Sequence, residues 1–183
     1  MKILKVQRNK ILFENNVEIS LQKTTIDEYK LKEGVEIEKD VYLNLVERAA
    51  LSFSYWLLAK RDYSTKEFTS KLIMKYREKN IIINIVEKFK ELNYLNDEDF
   101  ALSYINSHKS WGNKKLEYNL LLKGIDRNII HSLLEDNIED ELKEIEKLYI
   151  KMGTKEKKKK IESLMRKGFK YEHIKKVISY LEN

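Results

Sequence analysis

This chain of 183 residues carries 36 Lys and Arg against 30 Asp and Glu, with no Pro, no Cys and five Gly. Aliphatic and aromatic residues make up 42%, enough to bury a core, so wholesale disorder is excluded. Without Pro and with few Gly the chain lacks the punctuation of sandwiches and barrels, and without Cys it has no disulfide, zinc ribbon or thiol nucleophile. The first residues form no apolar signal core, and no run reaches the ~18 apolar residues of a membrane helix. A cytoplasmic, mainly helical protein is the expectation.

The net charge of +6 is unevenly spread. Residues 1–48 balance at 9 basic and 9 acidic groups, 49–95 carry 9 against 5, 96–137 carry 5 against 7, and 138–183 carry 13 against 9. Two basic segments flanking an acidic one suit a polyanion or an acidic protein surface as partner. A lysine-rich chain has the same look for solubility alone.

In chain order, residues 1–21 read as a small β-meander. Val17, Ile19 and Leu21 alternate with Glu18 and Ser20, and Arg8-Asn9 and Asn15-Asn16 suit two-residue turns. Residues 24–47 read as short helices around Gly34. From Glu47 the pattern is helical, with Ala49, Phe53, Trp56 and Leu57 on one face. Ser64-Thr65-Lys66-Glu67 is a capping box that opens a helix striped by Phe68, Leu72 and Tyr76. Ile82, Ile85, Val86 and Phe89 mark a third helix.

The pattern then recurs. Asn96 to Asp99 cap a helix bearing Phe100, Ala101, Tyr104 and Ile105. Gly112-Asn113 precedes one lined by Leu116, Leu120 and Leu121, and Asp126 caps another with Ile130 and Leu134. The last copy runs from Leu142, Ile145 and Leu148, through Ile161, Leu164 and Met165, to Ile174, Val177 and Ile178. Gly112 and Gly153 precede the middle helices of these copies and Gly124 and Gly168 follow them, with Asp62 and Tyr76 in the corresponding places of the first copy. The fold expected is mainly α: three tandem three-helix repeats in an elongated array behind the β-meander. The boundaries are 1–47, 48–95, 96–137 and 138–183.

Chemistry is sparse. His108, His131 and His173 fall in three different helices without metal-ligand spacing, and are read as surface or packing residues. Asp97, Glu98 and Asp99 sit where a first helical turn favours negative charge, so capping is the reading rather than a cation site. No phosphate-binding glycine loop and no serine-nucleophile elbow occurs. Neither catalysis nor a cofactor is expected. Tyr55, Trp56, Tyr94, Tyr104 and Trp111 are read as core rather than as stacking platforms. The unusual feature is lysine: Lys66, Lys114 and Lys115, and Lys155 and Lys157 fall in the first turns of the middle helices, against the helix dipole. With Lys60 and Arg61 just before the first of these turns, they are the candidate partner-binding residues. The readings are contact with an anion or an acidic partner, since helix N-termini bind anions, and a merely solvated face.

Four stretches resemble the RecX family. Leu58-Ala59-Lys60-Arg61-Asp62-Tyr63-Ser64-Thr65-Lys66-Glu67-Phe68 is similar to its L-x-R-R-x-x-S-x-x-E-L segment. Leu92-Asn93-Tyr94-Leu95-Asn96-Asp97-Glu98-Asp99-Phe100-Ala101 is similar to L-G-Y-L-D-D-x-x-F-A. Gly112-Asn113-Lys114-Lys115 through Lys123-Gly124-Ile125 resembles G-x-x-R-I-x-x-E-L-x-x-K-G-I, and Tyr29 to Gly34 resembles Y-x-L-x-x-G. Phe68, Asn96 and Lys115-Leu116 depart from the usual residues. The resemblance implies a non-enzymatic regulator that binds the RecA–single-stranded-DNA filament and modulates, by inhibition, recombinase ATPase, strand exchange and coprotease activity. The alternative function is a helical-repeat protein that binds single- or double-stranded DNA directly. A monomer with no membrane partner is expected.

Overall fold

The computed structural model describes residues 1–182. Strands β1 (Ile3–Gln7), β2 (Lys10–Phe13) and β3 (Glu18–Ser20) form an antiparallel sheet in the order β1-β2-β3. Arg8 and Asn16 take positive φ (55° and 59°) at the two turns, as the turn residues require. Ile11 pairs with Ile19, and Ile3 with Phe13 beyond an irregularity in β1. The side-chain alternation thereby puts Ile3, Ile11, Phe13 and Ile19 on one buried face. No strand follows β3 among the described residues, apart from the isolated bridge of Lys2 with Glu36.

Ten helices are described: α1 (Lys23–Glu28), α2 (Lys39–Leu58), α3 (Thr65–Tyr76), α4 (Lys79–Glu91), α5 (Asp97–Ser107), α6 (Asn113–Leu122), α7 (Arg127–Asp136), α8 (Ile138–Lys151), α9 (Lys157–Arg166) and α10 (Tyr171–Leu181). None is long and apolar enough to cross a membrane. The segment 24–47 differs from expectation. It holds one short helix, α1, then a turn through Gly34 (φ 82°), then the start of the 20-residue α2, which runs unbroken across residue 47. Val41, Tyr42, Leu45 and Val46 already carry the helical spacing, so the apolar stripe of α2 begins a full turn before Glu47.

The chain divides into two compact units, residues 1–96 and residues from Asp97 onward. In the first, the sheet and α2, α3 and α4 share one core, in which Phe13 meets Tyr42 edge-on at 4.9 Å. In the second, α5–α7 enclose one cluster around Leu116, Leu120 and Ile130. A separate cluster within α8–α10 centres on Ile145, Leu164 and Ile174.

Local signals set the helix ends. The Ser64 hydroxyl accepts from the Glu67 amide at 3.2 Å, and Asp126 accepts from the Asn128 amide at 2.7 Å. After α6 and α9 the chain reverses through left-handed glycines, Gly124 (φ 83°) and Gly168 (φ 92°). In the first copy the left-handed residue is Arg77 (φ 62°), one position past Tyr76, because α3 keeps Tyr76 as its last helical residue. That extra position buries the Tyr76 ring and lets its hydroxyl donate to the Ala49 carbonyl at 3.1 Å.

Leu72, Leu120 and Leu164 hold the same slot in α3, α6 and α9, and each is fully buried. Each Leu→Ala change is expected to lose about 2–5 kcal/mol in urea denaturation. Burial also raises the Tyr76 hydroxyl pKa and pushes that of Tyr42 up to about 12. Unfolded tyrosines ionise near pH ~10, so the stabilisation from keeping these two protonated is complete below that pH and is lost as the pH climbs through ~12. Tyrosinate absorbance is expected to show both titrating together with alkaline unfolding.

Candidate functional site

The three basic turns are built differently. Where α2 hands over to α3, the Lys60 ammonium stands 4.1 Å from the centre of the Trp56 ring, and the Arg61 guanidinium 3.7 Å from that of Tyr63. Arg61 also donates to the Asp62 carbonyl at 3.0 Å and lies 3.7 Å from the Glu67 carboxylate. At 3.7 Å and with Arg61 in water, this ion pair contributes little stability, but two ring contacts hold the cations close to apolar surface. Lys66 follows as an exposed residue of the first helical turn.

At α6 the turn is closed by other parts of the chain. Gly112, the N-cap, has no side chain to offer. Instead the Glu141 carboxylate accepts from the Asn113 amide at 2.7 Å, the Gly168 carbonyl accepts from the Lys114 amide at 3.1 Å, and the Gly112 amide donates to the Lys167 carbonyl at 2.9 Å. These are the amides an anion would need, so the end of α6 is not the anion site its lysines suggested. The two lysines also part company. Lys114 is exposed, whereas Lys115 is half-buried with its ammonium 3.9 Å from the centre of the Trp111 ring.

At α9 the helix begins at Lys157, so Lys155 lies before it, beyond the capping residue Glu156. Lys157 bonds the Glu182 carboxylate at 2.6 Å, and that hydrogen bond raises its pKa. Six residues before the buried leucines stand Lys66, Lys114 and Lys158. Lys158 therefore shares their slot, hidden in the sequence by the run Lys157 to Lys160. Lys160 in turn is buried, with its ammonium 4.4 Å from the centre of the Tyr149 ring. Lys60, Arg61 and Lys66 thus belong to the first unit, and Lys114, Lys115, Lys155 and Lys157 to the second.

The histidine reading missed a network inside the second unit. Glu141 of α8 is wholly buried; one carboxylate oxygen takes the Asn113 amide and the other the Nδ1 of His173, from α10. Asn113 extends it, donating to the Leu134 carbonyl at 3.2 Å and accepting from Asn137 at 3.0 Å. A buried carboxylate is tolerable only with such partners. Beside it the backbones cross so closely that a Cβ on Gly112 would lie 2.1 Å from the Phe169 nitrogen, and one on Gly168 would lie 2.4 Å from the Lys115 Cβ. Gly112 is needed for space, not for its φ of −77°. Glu141 sits among other charges of α8, and nothing in its local sequence points to α10. His108 stacks against Tyr104 (4.1 Å) and packs near Trp111 (4.3 Å), and His131 is exposed. No three His, Asp or Glu side chains converge to hold a metal among the described residues.

The core reading of the aromatics fails in part. Tyr55, Trp56 and Tyr94 are about half exposed, while Tyr104 and Trp111 are half-buried. Trp56 stacks on Phe53 at 5.4 Å, and Tyr55 meets Phe89 at 4.9 Å, so these rings roof the core and keep an outer side in water.

No family model matches the chain. It is 31% identical over 201 positions to regulatory protein RecX of Streptococcus agalactiae serotype V, an alignment that takes in 100% of this chain and 78% of that protein. It is 28% identical to regulatory protein RecX of Bacillus subtilis, over 96% of this chain and 73% of the relative. Among solved structures, RecX from Lactobacillus salivarius matches with a TM-score of 0.66 and 26% identity, over 75% of this chain and 97% of its own. A further crystal structure of a regulatory protein RecX has the same TM-score of 0.66 over 97% of both chains, at an identity of 16% that speaks for the fold alone.

Gly112→Ala tests the crossing. The added methyl group is expected to cost about 1–3 kcal/mol or more in urea denaturation, and to abolish hydrogen-exchange protection of the Lys114 amide.

Proposed function

The chain belongs to the RecX family of regulatory proteins, and from that premise we propose that it is a non-enzymatic, cytoplasmic, monomeric regulator that binds the RecA–single-stranded-DNA filament and inhibits recombinase ATP hydrolysis, strand exchange and coprotease activity. The observation that carries this reading is the alignment with a curated RecX protein along the whole chain, 31% identical over 201 positions. Three copies of a helical unit fit the task, because a filament presents the same protomer surface many times and repeated weak contacts sum to useful affinity. The slot shared by Lys66, Lys114 and Lys158 offers one exposed cation per repeat, and Lys60, Arg61, Lys115, Lys155 and Lys157 stand at the same turns. Binding that favours one protomer arrangement shifts the filament population away from the rearrangements of ATP turnover.

ATP hydrolysis by the cognate recombinase on single-stranded DNA is expected to fall to a plateau as the chain is added. An unchanged rate at saturation overturns the reading. Lys114→Glu is expected to weaken the inhibition several-fold at low salt, with the fold retained in circular dichroism and the thermal midpoint unchanged or slightly lower, since the ~0.3–1 kcal/mol a carboxylate gains in a first helical turn is opposed by the Glu141 carboxylate already at that turn. Lys115→Glu is expected to lower the midpoint instead, because it sets an anion against the Trp111 ring.

A further inference from the structure

We infer that the outward face of α6, formed by Lys114, Tyr118 and Leu122, is a docking stripe for a protein surface that offers an apolar pocket bordered by carboxylates. These residues are four apart, so they line one side of the helix opposite the buried Leu116 and Leu120. Tyr118 is 62% exposed and Leu122 is 59% exposed. The outward side of a helix in a water-soluble protein is ordinarily polar.

The other middle helices are internal controls, because the same slots counted from the buried leucine carry different residues on the same scaffold. In α9 the stripe is Lys158, Glu162 and Arg166, an ordinary solvated face; in α3 it is Lys66, Ser70 and Met74, with Met74 80% exposed. The leading lysine recurs in all three, whereas the apolar pair is found on α6 alone. Packing inside the repeat does not demand Tyr118 or Leu122, since α9 holds the same position with charged residues.

The chemistry selects a protein as occupant. A nucleic-acid groove needs cations and stacking faces along its length, and a leucine offers neither to phosphate nor to base. A leucine and a tyrosine one turn apart are the anchors of a helix laid against an apolar pocket. Residues 113–123 carry three lysines against one glutamate, which calls for an acidic rim around that pocket. The inference rests on the filament-binding reading and assigns α6 to the contact with the recombinase protomer rather than with its DNA.

Two double variants test it. Tyr118→Glu with Leu122→Arg gives α6 the residues of α9 at these slots, and Tyr118→Lys with Leu122→Lys makes the stripe wholly cationic. Both keep good helix formers on an exposed face, with circular dichroism as the folding control. Binding to recombinase filaments on single-stranded DNA and to the DNA alone is measured by surface plasmon resonance. The expected result is about tenfold or greater loss of filament affinity in both variants, with binding to DNA alone no weaker than wild type. Filament binding within about twofold of wild type in both variants overturns the stripe and leaves the function standing. Tighter filament binding by the lysine variant, or loss of DNA binding by the Glu/Arg variant, makes nucleic acid the occupant and overturns it too. No filament binding by the wild-type chain removes the function itself, and the inference with it.

Discussion

A helix of ten residues does not persist alone in water, because nucleation consumes most of what so few hydrogen bonds return. Helices α6, α7 and α9 are each of that length. Their existence therefore depends on what they bury and on how their ends are satisfied. The buried leucine of each middle helix meets the first need. Ser64 and Asp126 meet the second locally, at α3 and α7, and Glu141 meets it at long range, reaching the amide of Asn113 from α8. Because Glu141 also holds His173 of α10, one buried carboxylate ties the end of a second-repeat helix to two third-repeat helices. The close crossing of Gly112 over Phe169 belongs to the same joint, where the Gly112 and Lys114 amides donate to the Lys167 and Gly168 carbonyls.

That joint changes the meaning of the lysines around it. A cation in a first helical turn opposes the dipole, yet all three middle helices have one. At α6 the cost is offset by the Glu141 carboxylate beneath the same turn, so the end of the helix already has its anion. What Lys114 displays outward is then charge available to a partner, while the amides behind it are spent on holding the repeats together. Lys115 and Lys160 show the other use of lysine: long stems lie on apolar surface and the heads rest near the Trp111 and Tyr149 rings.

The sequence made much of this legible and some of it not. The meander, the three-helix periodicity and the left-handed glycines after α6 and α9 depend on neighbours within a turn or two, and such signals survive in one dimension. Gly34 marks a break in the sequence but not the start of α2, which the helical apolar spacing from Val41 onward already carries. Glu141 and His173 could not be paired, since they lie 32 residues apart and each looks like one more polar residue on an amphipathic helix. Gly112 marks the correct boundary in the sequence, but its backbone angle is ordinary, and only the path of Phe169 explains why a glycine stands there. Lys158 was legible by counting from Leu164, but the lysine run blurred the register.

Repetition gives this chain a means of separating fold from recognition within its own sequence. A buried residue that recurs at one slot of all three middle helices answers to the shared scaffold, as the leucines do, whereas an exposed cation that recurs against the helix dipole does nothing for it. A residue that differs at an exposed slot is released from the scaffold, and its chemistry answers to something outside it. The leading lysine is common to Lys66, Lys114 and Lys158, so it marks a contact that each repeat could make in the same way. Tyr118 and Leu122 stand where α9 keeps Glu162 and Arg166, and the fold is equally content with either pair. Apolar area left in water is a standing cost that the charged pair avoids. Tyr118 and Leu122 stand on the helix whose first turn is tied to α8 by Glu141, so a partner docking there would meet a backbone already anchored at one end, and less ordering would be required on binding.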